Sequence, residues 1–166
     1  KCLENNIHTL TEKPIALRID HAKKLIELSS SKSLMAGVVF QNRYNKSIKY
    51  LKNEIDKKSF GKIVLCTARI RWCRDQKYYS TKWRGTWKMD GGVISQQAIH
   101  HIDILQLIGG KIKNVSTFNT KRLNKLEAED TSVSILKFED DSLGALEATT
   151  SARPMDLEAS FSIIAE

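Results

Sequence analysis

The order of the elements predicts an α+β domain: a large, mostly antiparallel β-sheet with helices packed on one face. Three observations carry this. Helical and strand-like periodicities alternate over the first two-thirds of the chain. Four strand-like stretches then follow with nothing helical between them. An acidic turn, Glu139-Asp140-Asp141, joins the second of these to the third as a hairpin. With 166 residues, the chain is long enough for one domain with a real core.

Taken in order, residues 1–6 read as the end of a helix and 7–11 as a short strand. Ile15, Ile19, Ala22 and Ile26 recur at helical spacing, so a helix is expected to run to about Ser29, where a serine run ends it. Residues 34–44 read as a strand with Val38 and Phe40 on one face and Gln41 and Arg43 on the other. Asn45 is placed to cap a helix whose buried stripe is Ile48, Leu51 and Ile55 and which Gly61 stops. Residues 62–73 alternate cleanly: Val64, Cys66, Ala68, Ile70 and Trp72 face one way, Thr67, Arg69 and Arg71 the other. A loop over 74–90 contains Tyr78, Tyr79, Trp83, Arg84 and Trp87. A loop of that length and aromatic content is usually functional.

The stretch that organises the chain follows, a helix from the Gly91-Gly92 turn to Gly109-Gly110. Ile94, Ala98, Ile102, Leu105 and Ile108 form its core stripe. Gln96, His100 and Asp103 form a polar row at i, i+4 and i+7. His101 leans toward the apolar stripe and reads as a packing histidine. Residues 112–123, 131–138, 142–151 and 157–165 are the four strands. Alternating apolar residues such as Ile135, Leu143 and Ala145 would lie on an uncovered sheet face, which marks an interface.

Net charge is +8, unevenly placed: residues 1–90 carry 20 Lys/Arg against 8 Asp/Glu, and the remainder 7 against 11. Arg69, Arg71, Arg74, Lys77, Lys82, Arg84 and Lys88 form the densest basic patch, which calls for an anion. Nucleic acid, a membrane surface and a phosphorylated small molecule all qualify on charge. No RNA-binding or helix-turn-helix pattern accompanies the patch. No apolar run approaches the roughly 20 residues of a membrane span. Cys2, Cys66 and Cys73 are odd in number and lack metal-ligand spacing, which points to a reduced, cytoplasmic setting and no metal.

Three separated motifs now align with one family: Thr11-Glu12-Lys13-Pro14, then Gly91-Gly92 leading to Ala98-Ile99-His100-His101-Ile102-Asp103, then Glu129-Asp130-Thr131. The chain resembles the Gfo/Idh/MocA oxidoreductases, NAD(P)-dependent dehydrogenases of sugars and polyols. Within them it is similar to the branch that oxidises UDP-N-acetylglucosaminuronic acid at the sugar 3-hydroxyl in O-antigen and lipopolysaccharide synthesis. Residues 40–45, 83–87, 99–103 and 147–154 carry that finer likeness. No G-x-G-x-x-G occurs here. The resemblance therefore implies that residues 1–14 are a remnant of a Rossmann domain and its hinge. Residues 15–166 would be the C-terminal substrate-binding and oligomerisation domain, cut short at its end.

Sugar oxidation by NAD needs a base for the hydroxyl proton and a cation or donor for the developing alkoxide. Imidazole titrates near neutrality, which suits His100 to the first task. By resemblance His100 is the base and Lys13 the cation, with a cis Lys13–Pro14 bond. NAD, or NADP, would be held mainly by the missing domain, with Glu12, Lys13, Pro14, Asn42 and Arg43 on its nicotinamide side. Much of the family has Asp where this chain has Gln96. Gln96, Gln97 and Asp103 are expected on the sugar, Arg71 and Arg84 on the substrate's anionic groups, and Tyr79 or Trp83 packed on a ring. A homodimer or homotetramer through the sheet face is expected, with no nucleic-acid or membrane partner. The alternative is a non-catalytic module for oligomerisation or for binding an anion or nucleic acid.

Overall fold

The computed structural model describes all residues from Lys1 to Glu166 and divides into two compact units, Lys1–Gln41 and Asn42–Glu166.

In the first unit, strand β1 (Thr9–Thr11) pairs in parallel with β2 (Ala36–Val38), and helix α1 (Ile19–Ser31) makes the crossover. This pairing is why the first unit extends to Gln41. A parallel pair needs a connection of helical length, so residues 15–35 belong with the strand before them. The helix starts four residues later than its apolar spacing suggests, at an Arg18–Asp20 ion pair. The strand expected over 34–44 is only β2. The chain then winds into a 3-10 turn, Gln41–Tyr44, because Arg43 is drawn to a carboxylate on a later helix.

The second unit holds the main sheet. Helix α2 (Lys46–Asp56) leads to strand β3 (Ile63–Arg71). Asn45 sits at the N-cap position with extended dihedrals, but its side chain makes no capping bond. Then come the short helix α3 (Val93–Gln96) and helix α4 (Ile99–Gly109). Four strands follow: β4 (Ile112–Thr120), β5 (Thr131–Phe138), β6 (Leu143–Thr149) and β7 (Glu158–Ala165). Their order across the sheet is β4-β5-β6-β3-β7. Only the β3–β6 pair is parallel. The hairpin at Glu139–Asp141 is present, with Asp141 in the left-handed region at φ 68°.

The expected parity of β3 holds through its middle: Cys66, Ala68 and Ile70 are buried under the helices, whereas Val64 is exposed beside an irregularity in the pairing with β7. Ile104, Leu105 and Ile108 of α4 meet them, with Leu136, Phe138, Leu146 and Ala148 from the neighbouring strands. Phe138 is fully buried between two glycines. A methyl group on Gly109 would stand 2.8 Å from its ring, and one on Gly144 equally close. Absence of a side chain at both positions lets α4 and β6 approach that ring.

The opposite face of the sheet is open. Phe118, Val133, Ile135 and Leu143 stand on it in adjacent strands, Phe118 with 83% and Ile135 with 65% of its surface exposed. On the helix side, β4 lies beyond the helical layer. A mostly apolar cleft of about 430 Å³ remains there, bordered by Trp87, Ile94, Ile102, Val115 and Leu136. No helix is long and apolar enough to cross a membrane.

Candidate functional site

The stretch read as one helix from Gly92 to Gly109 is broken. α3 ends at Gln96, and α4 begins at Ile99. At the break, both Gln97 and Ala98 donate their amides to the carbonyl of Val93, and His101 donates to Ala98 one residue short of α-helical spacing. Gln96 and His100 therefore do not share one helical row. Gln96 turns its amide to the Asp90 carboxylate instead. The start of α3 is fixed by Glu129, whose side chain accepts from the Ile94 amide at 3.2 Å and whose carbonyl accepts from Val93 at 3.0 Å. A side chain on Gly92 would overlap that carboxylate and displace it from the Ile94 amide.

On α4, His100 is half-buried. His101 is only 7% exposed and packs edge-on against Trp72 at 6.4 Å, the packing role its phase suggested. Burial first, and then neighbouring His100, push the His101 pKa down. Asp103, one turn after His100, is gripped by Arg43, whose Nε donates to it at 2.7 Å. That pair brings the turn carrying Asn42 and Arg43 to the helix carrying His100.

The 74–90 loop is pinned rather than loose. Gly85, at φ 68°, lies against Leu126; its carbonyl accepts from Glu127 and Ala128, and its amide donates to Asp90. Trp87 donates its amide to the Glu127 carboxylate. Tyr79 faces inward, and its hydroxyl shares a 2.7 Å hydrogen bond with buried Thr150. Burial pushes its pKa up to about 12, the Thr150 bond offsetting part of the rise. Tyr79 is thus a brace with no face to offer a sugar. Its neighbour Tyr78 is the hub of the loop. The Arg84 guanidinium lies 4.0 Å from the Tyr78 ring centre, Arg74 lies 5.7 Å away, and Gln97 Nε2 donates to the Tyr78 hydroxyl at 3.3 Å. Arg84 also stacks on Trp83 at 5.0 Å.

Gln97 stands at the α3–α4 break, Arg84 reaches it through Tyr78, Trp83 lies behind Arg84, and Asp103 stands one turn into α4. Arg71 does not join them. It lies on the open face of the sheet, donating through Nη2 to Glu147 at 2.9 Å and approaching Glu158 at 3.4 Å. The guanidinium is already matched by two carboxylates. Glu12, Lys13 and Pro14 lie in the first unit, and the Lys13–Pro14 bond is cis. The sequence reading passed over Tyr78 and Glu129 as site-forming residues. Loop aromatics carry no periodicity to phase them, so nothing separated Tyr78 from Tyr79.

The GFO/IDH/MocA C-terminal domain model matches residues 48–166. The chain belongs to the GFO/IDH/MocA family. The match lies wholly in the second unit. The structure superposes on the WlbA dehydrogenase from Bordetella pertussis, solved with NADH and UDP-GlcNAcA, with a TM-score of 0.94 and 32% identity over 99% of this chain and 49% of that one. The WlbA dehydrogenase from Chromobacterium violaceum, solved with the same two ligands, gives 0.94 and 33% over 99% and 48%. Among curated relatives, the myo-inositol 2-dehydrogenase of Thermotoga maritima is 23% identical over 153 residues, covering 88% of this chain and 43% of the relative. The GFO/IDH/MocA chain described here thus spans about half the length of the solved relatives and less than half of the curated one.

Proposed function

We propose that this chain is the substrate-binding and oligomerising portion of an NAD-dependent oxidoreductase that oxidises the 3-hydroxyl of UDP-N-acetylglucosaminuronic acid or a close relative. The observation that carries the proposal is the likeness, over nearly the whole chain, to two dehydrogenases that hold NADH and that nucleotide sugar. The basic, aromatic loop supports it, because a diphosphate and a carboxylate both suit guanidinium forks. Arg84 is the better anchor for an anion than Arg71. It meets rings and a carbonyl, whereas Arg71 already holds two carboxylates.

NAD, when bound, accepts the hydride. No phosphate-binding glycine loop occurs in this chain, so its pyrophosphate contacts fall to other residues of the whole protein. Arg43, fixed by Asp103 one turn beyond His100, fits a nicotinamide brought to that end of α4, with Asn42 beside it. His100 would take the proton of the sugar hydroxyl. Lys13 would supply positive charge to the developing alkoxide, with Glu12 and Pro14 setting its place in the chain. Gln96 and Gln97 would orient sugar hydroxyls as amides, without adding charge. In this reading residues 1–14 come from a nucleotide-binding domain, and the open sheet face joins copies of the protein into a dimer or tetramer in the cytoplasm.

The test is NADH formation by the full-length protein with UDP-N-acetylglucosaminuronic acid, beside free myo-inositol and xylose. Turnover of the nucleotide sugar is expected, falling 10²–10⁴-fold in His100→Ala, the range typical of a general base, while binding of the nucleotide sugar is kept. Efficient oxidation of the free polyols with none of the nucleotide sugar would overturn the substrate assignment.

A further inference from the structure

Tyr78 connects two groups that the proposed reaction needs and that the chain otherwise keeps apart. Its own position is fixed on both sides. Its amide donates to Asp75 Oδ1 at 2.9 Å. Its ring meets Tyr79 edge-on at 5.0 Å, and Tyr79 is locked to Thr150. From this fixed seat the ring carries Arg84 at 4.0 Å, and the Tyr78 carbonyl accepts from Arg84 Nη1 at 3.3 Å. Arg84 Nε is buried. The cation is thus held by its stacking and aimed by the loop.

The Tyr78 hydroxyl reaches the other way. It accepts from Nε2 of Gln97, a side chain only 6% exposed. Gln97 is the C-cap of α3, and His100 follows three residues later. A buried amide donor left without an acceptor is destabilising. Removing the hydroxyl therefore perturbs the break, which leads directly into the first turn of α4, where His100 stands.

We propose that Tyr78 is a positioning residue: its ring seats Arg84 for the anionic part of the substrate, and its hydroxyl, through Gln97, sets the aim of His100. This rests on the roles given above to His100 and Arg84. It predicts that the two functions of Tyr78 separate. Tyr78→Phe keeps the ring and loses the hydroxyl, so kcat should fall about tenfold or more with the nucleotide-sugar KM little changed. Tyr78→Leu loses both, so KM should also rise.

A second measurement does not depend on the substrate. In full-length protein carrying ¹³C-labelled histidine, Tyr78→Phe should shift the His100 ring signal and leave those of His8 and His21 in place. A Tyr78→Phe protein with a displaced His100 signal and lowered kcat bears the inference out. An unmoved His100 signal overturns it, even where the melting temperature falls, since that result describes a packing residue only. Absence of nucleotide-sugar turnover in the wild type would overturn the substrate assignment, and the His100 signal would still decide the role of Tyr78.

Discussion

Asp130 shows how a family motif can be structural in its details. Its carboxylate is wholly buried and accepts from the amides of Arg122 and Leu123 at 3.2 and 3.3 Å and from the Thr131 hydroxyl at 3.0 Å. These contacts gather residues 122–124 into a turn, which is why β4 ends at Thr120 and not at Leu123. Burial works to raise the Asp130 pKa, but the Arg122 amide and the other donors outweigh it and hold the carboxyl below its ordinary value. A carboxyl with a depressed folded pKa stabilises fully above its unfolded value, about 3.9. That contribution is lost as the pH falls through the lower folded value. Asp130→Asn should therefore destabilise at pH 7 by about 1.5–3 kcal/mol, the range for hydrogen bonds to a charged group. The difference from wild type should shrink in acid. Urea midpoints at pH 7 and pH 3 check this.

How much could be read in advance differs from one side chain to the next. The Glu129-Asp130-Thr131 signature was visible, but its work as a clamp was not, because its partners are backbone amides. For Arg71 the signal was present and its consequence was not drawn. The alternation that turns Cys66, Ala68 and Ile70 toward the helices also turns Arg71 away from α4.

The break between α3 and α4 lay beyond sequence reading for a different reason. Apolar spacing runs through it without interruption, and neither Pro nor Gly marks it. It is imposed from outside, by Glu129 at one end of α3 and by Tyr78 on Gln97 at the other. Strand positions were read better, since period two survives a short strand. Their ends were less legible, because contacts remote in sequence set them. Ala98 is completely buried at the break. Ala98→Leu has no room to place its side chain, so overpacking should cost about 1–3 kcal/mol. It should also impair turnover by disturbing the turn before His100. Thermal unfolding measured alongside kcat separates the two effects, and a stable variant with normal kcat would show that the break tolerates repacking.

The open sheet face is where association of copies is proposed. Phe118, Val133, Ile135 and Leu143 present a contiguous apolar surface, flanked on β3, β6 and β7 by the Arg69, Arg71, Glu147 and Glu158 ion pairs. A contiguous apolar patch with a charged margin is a usual association surface. The wild type is expected to sediment as a dimer or tetramer, and Phe118→Asp together with Ile135→Asp should sediment as a monomer. A monomeric wild type at tens of micromolar would count against association through this face.

The central position of β3 in this sheet has one more consequence. Its even-numbered residues from Cys66 to Ile70 touch the helices that carry the candidate base, and its odd-numbered residues from Thr67 to Arg71 touch only the open side. The strand is a partition two residues deep in its repeat. If the proposed roles of the two faces hold, substitutions that act on association and substitutions that act on the candidate site fall on alternate positions of the same strand and do not compete for one place. A lineage could change its quaternary arrangement while keeping its chemistry, or the reverse, by steps one residue apart.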